Sequence, residues 1–419
     1  MILVNHFIII YQELLKGKNF GSSFFKEYFK KYNQGYIYSM NKIKTFIKNE
    51  LMLIVSLIAA IISLFITPPS KQLLFDIDWH TLGTLFMMLT VLEGFKKENI
   101  FKPLINLSSK FKTMTAVSLF LIFGVFFTSM FVTNDVSLII FVPLTILIFK
   151  GGNKEKYILP IISMENIAAI RGSLLMPFGS PQNLFIFGKS NISAAGFMLR
   201  MSPLCIMSAI LLIIFVLFTY RKNLKEEIVT DNNKLSGEWK KENKIKRITY
   251  IILFVLIIYT IVSRTKYWPI AVLLVLISTA ITDLKLLSKV DYILLLTFLC
   301  FFVFSSSIAA NPAISEFLMK TVSGHEYITS ILLSQVISNV PASIVLYPFT
   351  QNLFGLLYGL DTAGLCSLIG SLASVINYRI YVREYPENGG KFIKVFTLIS
   401  WAFFIIVVLP GFFISRNGL

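Results

Sequence analysis

This sequence is poor in charge: Asp, Glu, Lys and Arg make up 15% of its 419 residues, where a soluble protein carries about 25%. Metal- and redox-active residues are equally thin. The three cysteines, Cys205, Cys300 and Cys366, stand in apolar stretches without CxxC spacing, and the three histidines, His6, His80 and His325, are far apart in the chain. These absences argue against a disulfide framework, a Cys/His zinc site and a haem-attachment motif, and no cofactor is implied. There is no HExxH, no GxGD-type pair of aspartates and no Walker loop. A membrane-embedded enzyme is therefore the lesser alternative, and any work the chain does draws on an ion gradient or a partner protein.

Apolar surface, by contrast, is abundant: 55% of the residues are hydrophobic, 39 are Phe, and the mean hydropathy is +0.73. Spanning a bilayer takes about 17 to 25 apolar residues, and such runs lie near 50–67, 79–95, 202–220, 248–263, 267–284, 290–310 and 393–414. The expected fold is an all-α polytopic membrane protein whose first partner is the lipid bilayer. The formal net charge of +17 is collected in runs at Lys16–Lys48, Lys96–Lys112, Lys150–Lys156, Arg221–Arg247, Lys285–Lys289 and Arg379–Lys394. That pattern is a topology signal and not the footprint of a nucleic acid. By the positive-inside rule these runs are cytoplasmic, which places the N-terminus inside and the C-terminus outside a cell (inner or plasma) membrane. Residues 1–48 read as a cytoplasmic extension, of which 1–39, ahead of a second Met at position 40, are expected to be dispensable or to follow from a misplaced start.

Four further apolar regions are interrupted by polar residues. The stretch of about 113–150 has lysines at both ends and Thr133-Asn134-Asp135 in its middle. A re-entrant helical hairpin with a polar tip accounts for both facts, since irregular backbone at membrane depth survives only where protein or a watery cavity surrounds it; two full spans joined by a short external turn are the plainer alternative. A second hairpin, about 328–352, has its tip at Ser338-Asn339-Val340-Pro341. The thirteen residues from Thr133 to Thr145 align without gaps on Ser338 to Thr350, with Asn, Ile, Pro and Thr recurring in register. Each hairpin is followed by a break inside an apolar run, Gly179-Ser180-Pro181-Gln182-Asn183 within about 157–187 and Gly370-Ser371-Leu372-Ala373-Ser374 within about 362–380. Gly and Pro unwind a helix there, and the freed carbonyls and amides need ligands.

The expected organisation is a first repeat over 49–220, a linker over 221–247 and a second repeat over 248–419. Lys97–Lys110 and Pro312–Lys320 read as short interfacial helices at matching places. With hairpins opening to opposite faces, the repeats are inverted, the arrangement that gives a secondary transporter two access states around one central site. Thr133, Asn134, Gly179, Ser180 and Asn183 are expected to form one cation site, and Ser338, Asn339, Gly370, Ser371 and Ser374 its pseudo-symmetric partner. A coupling Na⁺ would lie at Asn134, Asp135, Ser180, Asn339 and Ser371; a coupling H⁺ is the other choice, and Asp135 can serve either or simply cap the second arm of its hairpin. Helix N-termini at the tips suit a small anionic substrate between them. Glu165 and Arg171, nearly two turns apart, are charge partners for each other or for other groups. Arg171 also offers an anion a forked donor. Arg379 reads as interfacial.

The Asn-centred tips and the segment Gly172-Ser173-Leu174-Leu175-Met176-Pro177-Phe178-Gly179-Ser180-Pro181-Gln182-Asn183-Leu184 resemble the ion transporter superfamily. That group includes citrate and dicarboxylate carriers, divalent-anion/sodium symporters, arsenite permeases and D-type sodium/proton antiporters. The resemblance covers roughly residues 50–415 and implies a scaffold domain, a transport domain that moves as an elevator, and a homodimer. In the divalent-anion symporters the tips read Ser-Asn-Thr; Thr133-Asn134-Asp135 is closer to the arsenite-permease and antiporter branch. The expected activity is ion-coupled transport of a carboxylate or inorganic oxyanion, with an arsenite efflux permease or a sodium/proton antiporter of the same fold as the alternative.

Overall fold

The computed structural model describes residues 50–69, 71–101, 103, 107–228 and 243–416. The expected N-terminal extension and the middle of the linker lie outside them. Two compact units are distinguished, Met1–Val55 and Ser56–Leu419. Of the first, only residues 50–55, at the start of helix α1 (Leu51–Ile66), are described. The second is built from helices, and among the described residues the only β-type pairing is one isolated bridge.

After α1 come α2 (Lys71–Asp76) and α3 (Trp79–Lys97), then α4 (Met114–Val132), α5 (Asn134–Gly151), α6 (Ile158–Gly172), α7 (Pro181–Lys189) and α8 (Ala194–Thr219). Beyond the linker follow α9 (Lys244–Ser263), α10 (Trp268–Leu287), α11 (Tyr292–Ala309) and α12 (Pro312–Val322). The chain closes with α13 (Glu326–Ile337), α14 (Asn339–Leu346), α15 (Leu353–Ala363), α16 (Leu372–Glu384) and α17 (Gly389–Arg416). Side-chain caps mark many of the starts: Asp78 accepts from Thr81 N–H, Asp291 from Leu294 N–H and Asn352 from Gly355 N–H, each satisfying a donor the helix itself leaves free.

Seven helices among the described residues are long and apolar enough to cross a membrane, so the protein is a multi-pass membrane protein. They fall into two kinds. In α9 and α10, 28% and 22% of the residues are buried, against 56% and 61% in α4 and α5. The exposed side of α9 is a stripe of Ile248, Ile251, Ile252, Val255, Tyr259 and Val262, spaced as one helical face. In water such a stripe would be a liability; in a bilayer it is the ordinary surface. α9 and α10 pack on α3, and α8 and α17, 33% and 28% buried, are outer helices of the same kind, whereas α4 to α7, α14 and α15 form the interior.

Two antiparallel hairpins contribute to that interior. In the first, Thr128 Oγ1 bonds Ser137 Oγ at 3.0 Å across the α4–α5 tip. α4 and α5 are each long enough to span by length alone, while α13 and α14 of the second hairpin are not. The recurring Pro falls differently in the two hairpins. Pro143 sits inside α5, but Pro348 falls in the 3₁₀ turn that ends α14, where its missing N–H and ring are better tolerated.

Behind each hairpin is a helix broken in two, α6/α7 with residues 173–180 between, and α15/α16 with residues 364–371 between. Close backbone approach holds α6 to α4 and α15 to α13. A Cβ on Gly172 would stand 2.0 Å from the Phe126 carbonyl oxygen, and one on Gly359 2.4 Å from that of Tyr327. Across the halves, α5 packs on α16 and α14 on α7, while α6 also meets α16 and α15 meets α7. The linker, expected as a solvated connector, is pinned where it begins: Met114 N–H donates to Glu226 O at 2.8 Å and Ile228 N–H to Lys112 O at 2.9 Å.

Candidate functional site

The hairpin tips repeat each other in backbone as well as in sequence. Thr133 has φ 74°, ψ 159° and Ser338 φ 69°, ψ 160°, a region that only glycine visits freely and that costs a residue with a Cβ about 1–3 kcal/mol. Neither side chain caps the helix that starts after it, so the tip residues leave the first amides of α5 and α14 to other partners. Asn134 is buried with its Oδ1 unpartnered among the described residues. The backbone N–H of Asn339 instead donates to Gly370 O at 3.2 Å. The second tip is therefore docked on the second break, and no hydrogen bond joins Asn134 to the first break.

The first break is folded around Asn183. Its Nδ2 donates to the carbonyls of Ser173, Leu174 and Met176 at 3.1, 3.2 and 3.2 Å, and its Oδ1 is left without a partner. Ser180 Oγ caps α7 by accepting from Asn183 N–H. Gly179 is required by space, because its Cβ would lie 2.2 Å from Ser173 O. In the second break Gly370 is constrained in the same way, 2.3 Å from Ala363 O, while Ser371 precedes α16 without capping it. Ser374 accepts from Asn166 Nδ2 at 3.0 Å, a bond that runs from the first broken helix to the second.

Of the charged candidates, Asp135 lies half-buried in the first turn of α5, within electrostatic reach of Lys96 at the end of α3 and of Asp291 at the start of α11. Glu165 is fully buried and accepts a short hydrogen bond from Thr145, the Thr of the repeated motif. Its Oε2 is unpartnered. Arg171, also fully buried, is not bonded to Glu165; the carboxylate acting on it is Asp361. Arg379 is exposed, consistent with an interfacial position.

Asp361, Gln182, Asn166 and Asn377 join the site without being among the residues expected from the sequence. Gln182 Nε2 donates to Asp361 Oδ1 at 3.0 Å, and Asn377 Nδ2 donates to Ile162 O at 2.6 Å. Both bonds tie one half of the chain to the other. Asp361 had a legible signal, a lone acid in the apolar run from Leu353 to Ala363; the amides had none. Among the described residues no cluster of three or more His, Cys, Asp or Glu side chains has metal-binding spacing. Beyond α7 a cavity of about 480 Å³ opens among α2, α7, α11 and α14. At its edge Lys189 pairs with Asp78 at 2.9 Å and lies over the rings of Phe185 and Tyr347.

The sequence profile of the family described as citrate transporter matches residues 44–370. An uncharacterized transporter of Methanocaldococcus jannaschii, MJ0456, is 31% identical over 374 residues, 88% of this chain and 98% of its own length. The inner membrane protein YbiR of Escherichia coli K12 is 30% identical over 325 residues, 76% of this chain and 84% of its own. Buried hairpin tips, two broken helices packed across each other and a match over most of the length agree: the chain belongs to the citrate transporter family.

Proposed function

We propose that this protein is an ion-coupled secondary active transporter that carries a small anion, a carboxylate or an inorganic oxyanion, across the cytoplasmic membrane by alternating access. The observation that carries this reading is the pair of tips: two non-glycine residues, Thr133 and Ser338, share one strained backbone geometry ahead of two helix N-termini that neither side chain caps. Strain repeated at matched positions is retained for a task. The first amides of those helices suit an anion, and the unpartnered oxygens of Asn134 and Asn183 suit a coupling cation. In this reading the halves are inverted repeats, both hairpins are re-entrant, and the N-terminus is cytoplasmic with the C-terminus outside. Site 1 consists of Thr133, Asn134, Asp135, Gly179, Ser180 and Asn183, and site 2 of Ser338, Asn339, Gly370, Ser371 and Ser374.

The test is flux in sealed proteoliposomes with imposed Na⁺ or pH gradients, after a thermal-shift screen of anions with and without Na⁺. Uptake of an anion that stabilises the protein only with the cation is expected, and Asn134→Ala and Asn339→Ala should each abolish it. Wild-type flux in either variant counts against the reading. A second reading, sodium/proton exchange, is favoured by Asp135 at the first tip and Glu165 on its Thr145. A response to Na⁺ and pH without any anion, lost in Asp135→Asn, would select it.

A further inference from the structure

Arg171 is the last residue but one of α6, and it carries the most expensive unpaired charge in the interior. Its side chain is fully buried, and none of Nε, Nη1 and Nη2 has a hydrogen-bond partner among the described residues. A guanidinium has five N–H donors and cannot shed its proton, so burial without acceptors costs both the ion's hydration and its hydrogen bonds. The carboxylate that acts on it electrostatically is on the other half of the chain. Asp361, on α15 three residues before the second break, is equally buried, and among the described residues its Oδ2 has no partner while Oδ1 accepts from Gln182. The two charges act on each other without touching, and Cys366 of the second break and Tyr327 of α13 also act on Arg171. The Tyr327 hydroxyl donates to Val408 O at 2.9 Å and does not accept from Arg171.

One free carboxylate oxygen does not satisfy five donors. An anion with two or more oxygens does, because a guanidinium takes two of them in parallel. We infer that Arg171 is the fixed cation that binds the transported anion through two of its oxygens, and that Asp361 opposes it across the two halves as the countercharge of the empty subsite. The inference rests on the anion-transport reading and deepens it, since neither tip supplies a full positive charge. It also gives coupling an electrostatic reason. Arg171 and Asp361 cancel in the empty subsite, a bound anion leaves it negative, and a cation bound alongside restores the balance. Planar carboxylates and tetrahedral oxyanions share this chemistry.

The experiment uses the full chain, with citrate, succinate, sulfate and phosphate as probes in thermal-shift and proteoliposome assays, with and without Na⁺. For the probe that wild type binds, Arg171→Gln is expected to weaken binding by about a hundredfold, and Arg171→Lys, which keeps the charge and loses the fork, by about tenfold. Asp361→Asn should bind the probe as tightly as wild type or more tightly. A merely structural ion pair predicts the reverse pattern: equal losses in Arg171→Gln and Asp361→Asn, and recovery of wild-type binding and flux in the double variant R171Q/D361N. That pattern, or unchanged affinity in Arg171→Lys, overturns the inference while leaving anion transport standing. If Arg171→Gln alone does not fold, the double variant decides, with folded protein that binds no probe as the expected result. Wild type that binds and moves none of the four probes removes the anion reading and this inference together.

Discussion

In the first helix break the Asn183 amide reaches back to the carbonyls of Ser173, Leu174 and Met176, all within one loop. The second break has no such residue, and its groups are held from other elements: Gln335 of α13 donates to Ala363 O and accepts from Ser367 Oγ, Trp401 of α17 donates to Cys366 O, and Asn339 at the tip donates to Gly370 O. One break is thus held by its own amide and meets its hairpin through the rings of Phe131 and Phe178, with no hydrogen bond to the tip among the described residues, while the other is hydrogen-bonded to its tip and to α17. The difference teaches that equal backbone geometry does not mean equal mechanics. In the first half the hydrogen bonds hold the break alone; in the second they hold tip and break together.

The steepest way to break this comparison is to close both breaks to movement at once. Gly179→Ala and Gly370→Ala each place a Cβ within 2.2–2.3 Å of a carbonyl oxygen, and overpacking of that kind costs about 2–3 kcal/mol. Equal losses of thermal stability are expected in the two variants; a neutral result at one position would mean that its break is not closed as described. Asn183→Ala comes next, at about 2 kcal/mol for three lost hydrogen bonds with carbonyls left unsatisfied. Its effect on hydrogen exchange should be confined to residues 173–176, whereas Gln335→Ala should expose both 363–370 and the tip at Ser338–Asn339. If Gln335→Ala acts as locally as Asn183→Ala, the contrast drawn here is wrong.

Relief of strain is the next smaller effect. Thr133→Gly and Ser338→Gly should each raise stability by about 1 kcal/mol, because glycine adopts the tip geometry without its penalty, and flux should fall in both. Smallest of all is the ion pair that pins the linker to the base of the first hairpin. Lys154 donates to Glu226 at 2.5 Å and holds that carboxyl below the usual Glu range. A depressed folded-state value adds stability that is present above the ordinary Glu pKa and fades as pH falls through the lower one. At a half-exposed site the contribution is slight, so Glu226→Gln should flatten acid unfolding only marginally, read as the pH of half-unfolding.

Much of this architecture was legible in order along the chain. The apolar runs at 248–263, 267–284, 290–310 and 393–414 located α9, α10, α11 and α17 within a few residues, while α8 starts eight residues ahead of its run. α1 and α3, expected to span, are not among the seven helices long and apolar enough to do so. Pro312–Lys320 is a short helix, and the Asn-centred motif located both tips. The repeat was less informative about the roles of its members. Thr145 bonds the buried Glu165, while its mate Thr350 accepts from Asn352 N–H in a turn. Pro143 is absorbed by a long helix, and Pro348 ends a short one. Glu165 and Arg171 were singled out as charges in apolar surroundings, and the same rule applied to Leu353–Ala363 would have included Asp361.

The sequence by itself determined that this is a helical membrane protein with two polar-tipped hairpins and two interrupted helices, because hydrophobic length and backbone chemistry are local properties that a bilayer reads directly. Only the tertiary structure decided which polar groups face one another. Arg171 is acted on by Asp361 and is not bonded to Glu165, and Gln182, Asn166 and Asn377 join the halves through hydrogen bonds to partners 179 to 215 residues away. No spacing rule along the chain reaches that far; the pairing follows from how two broken helices pack across each other in the fold.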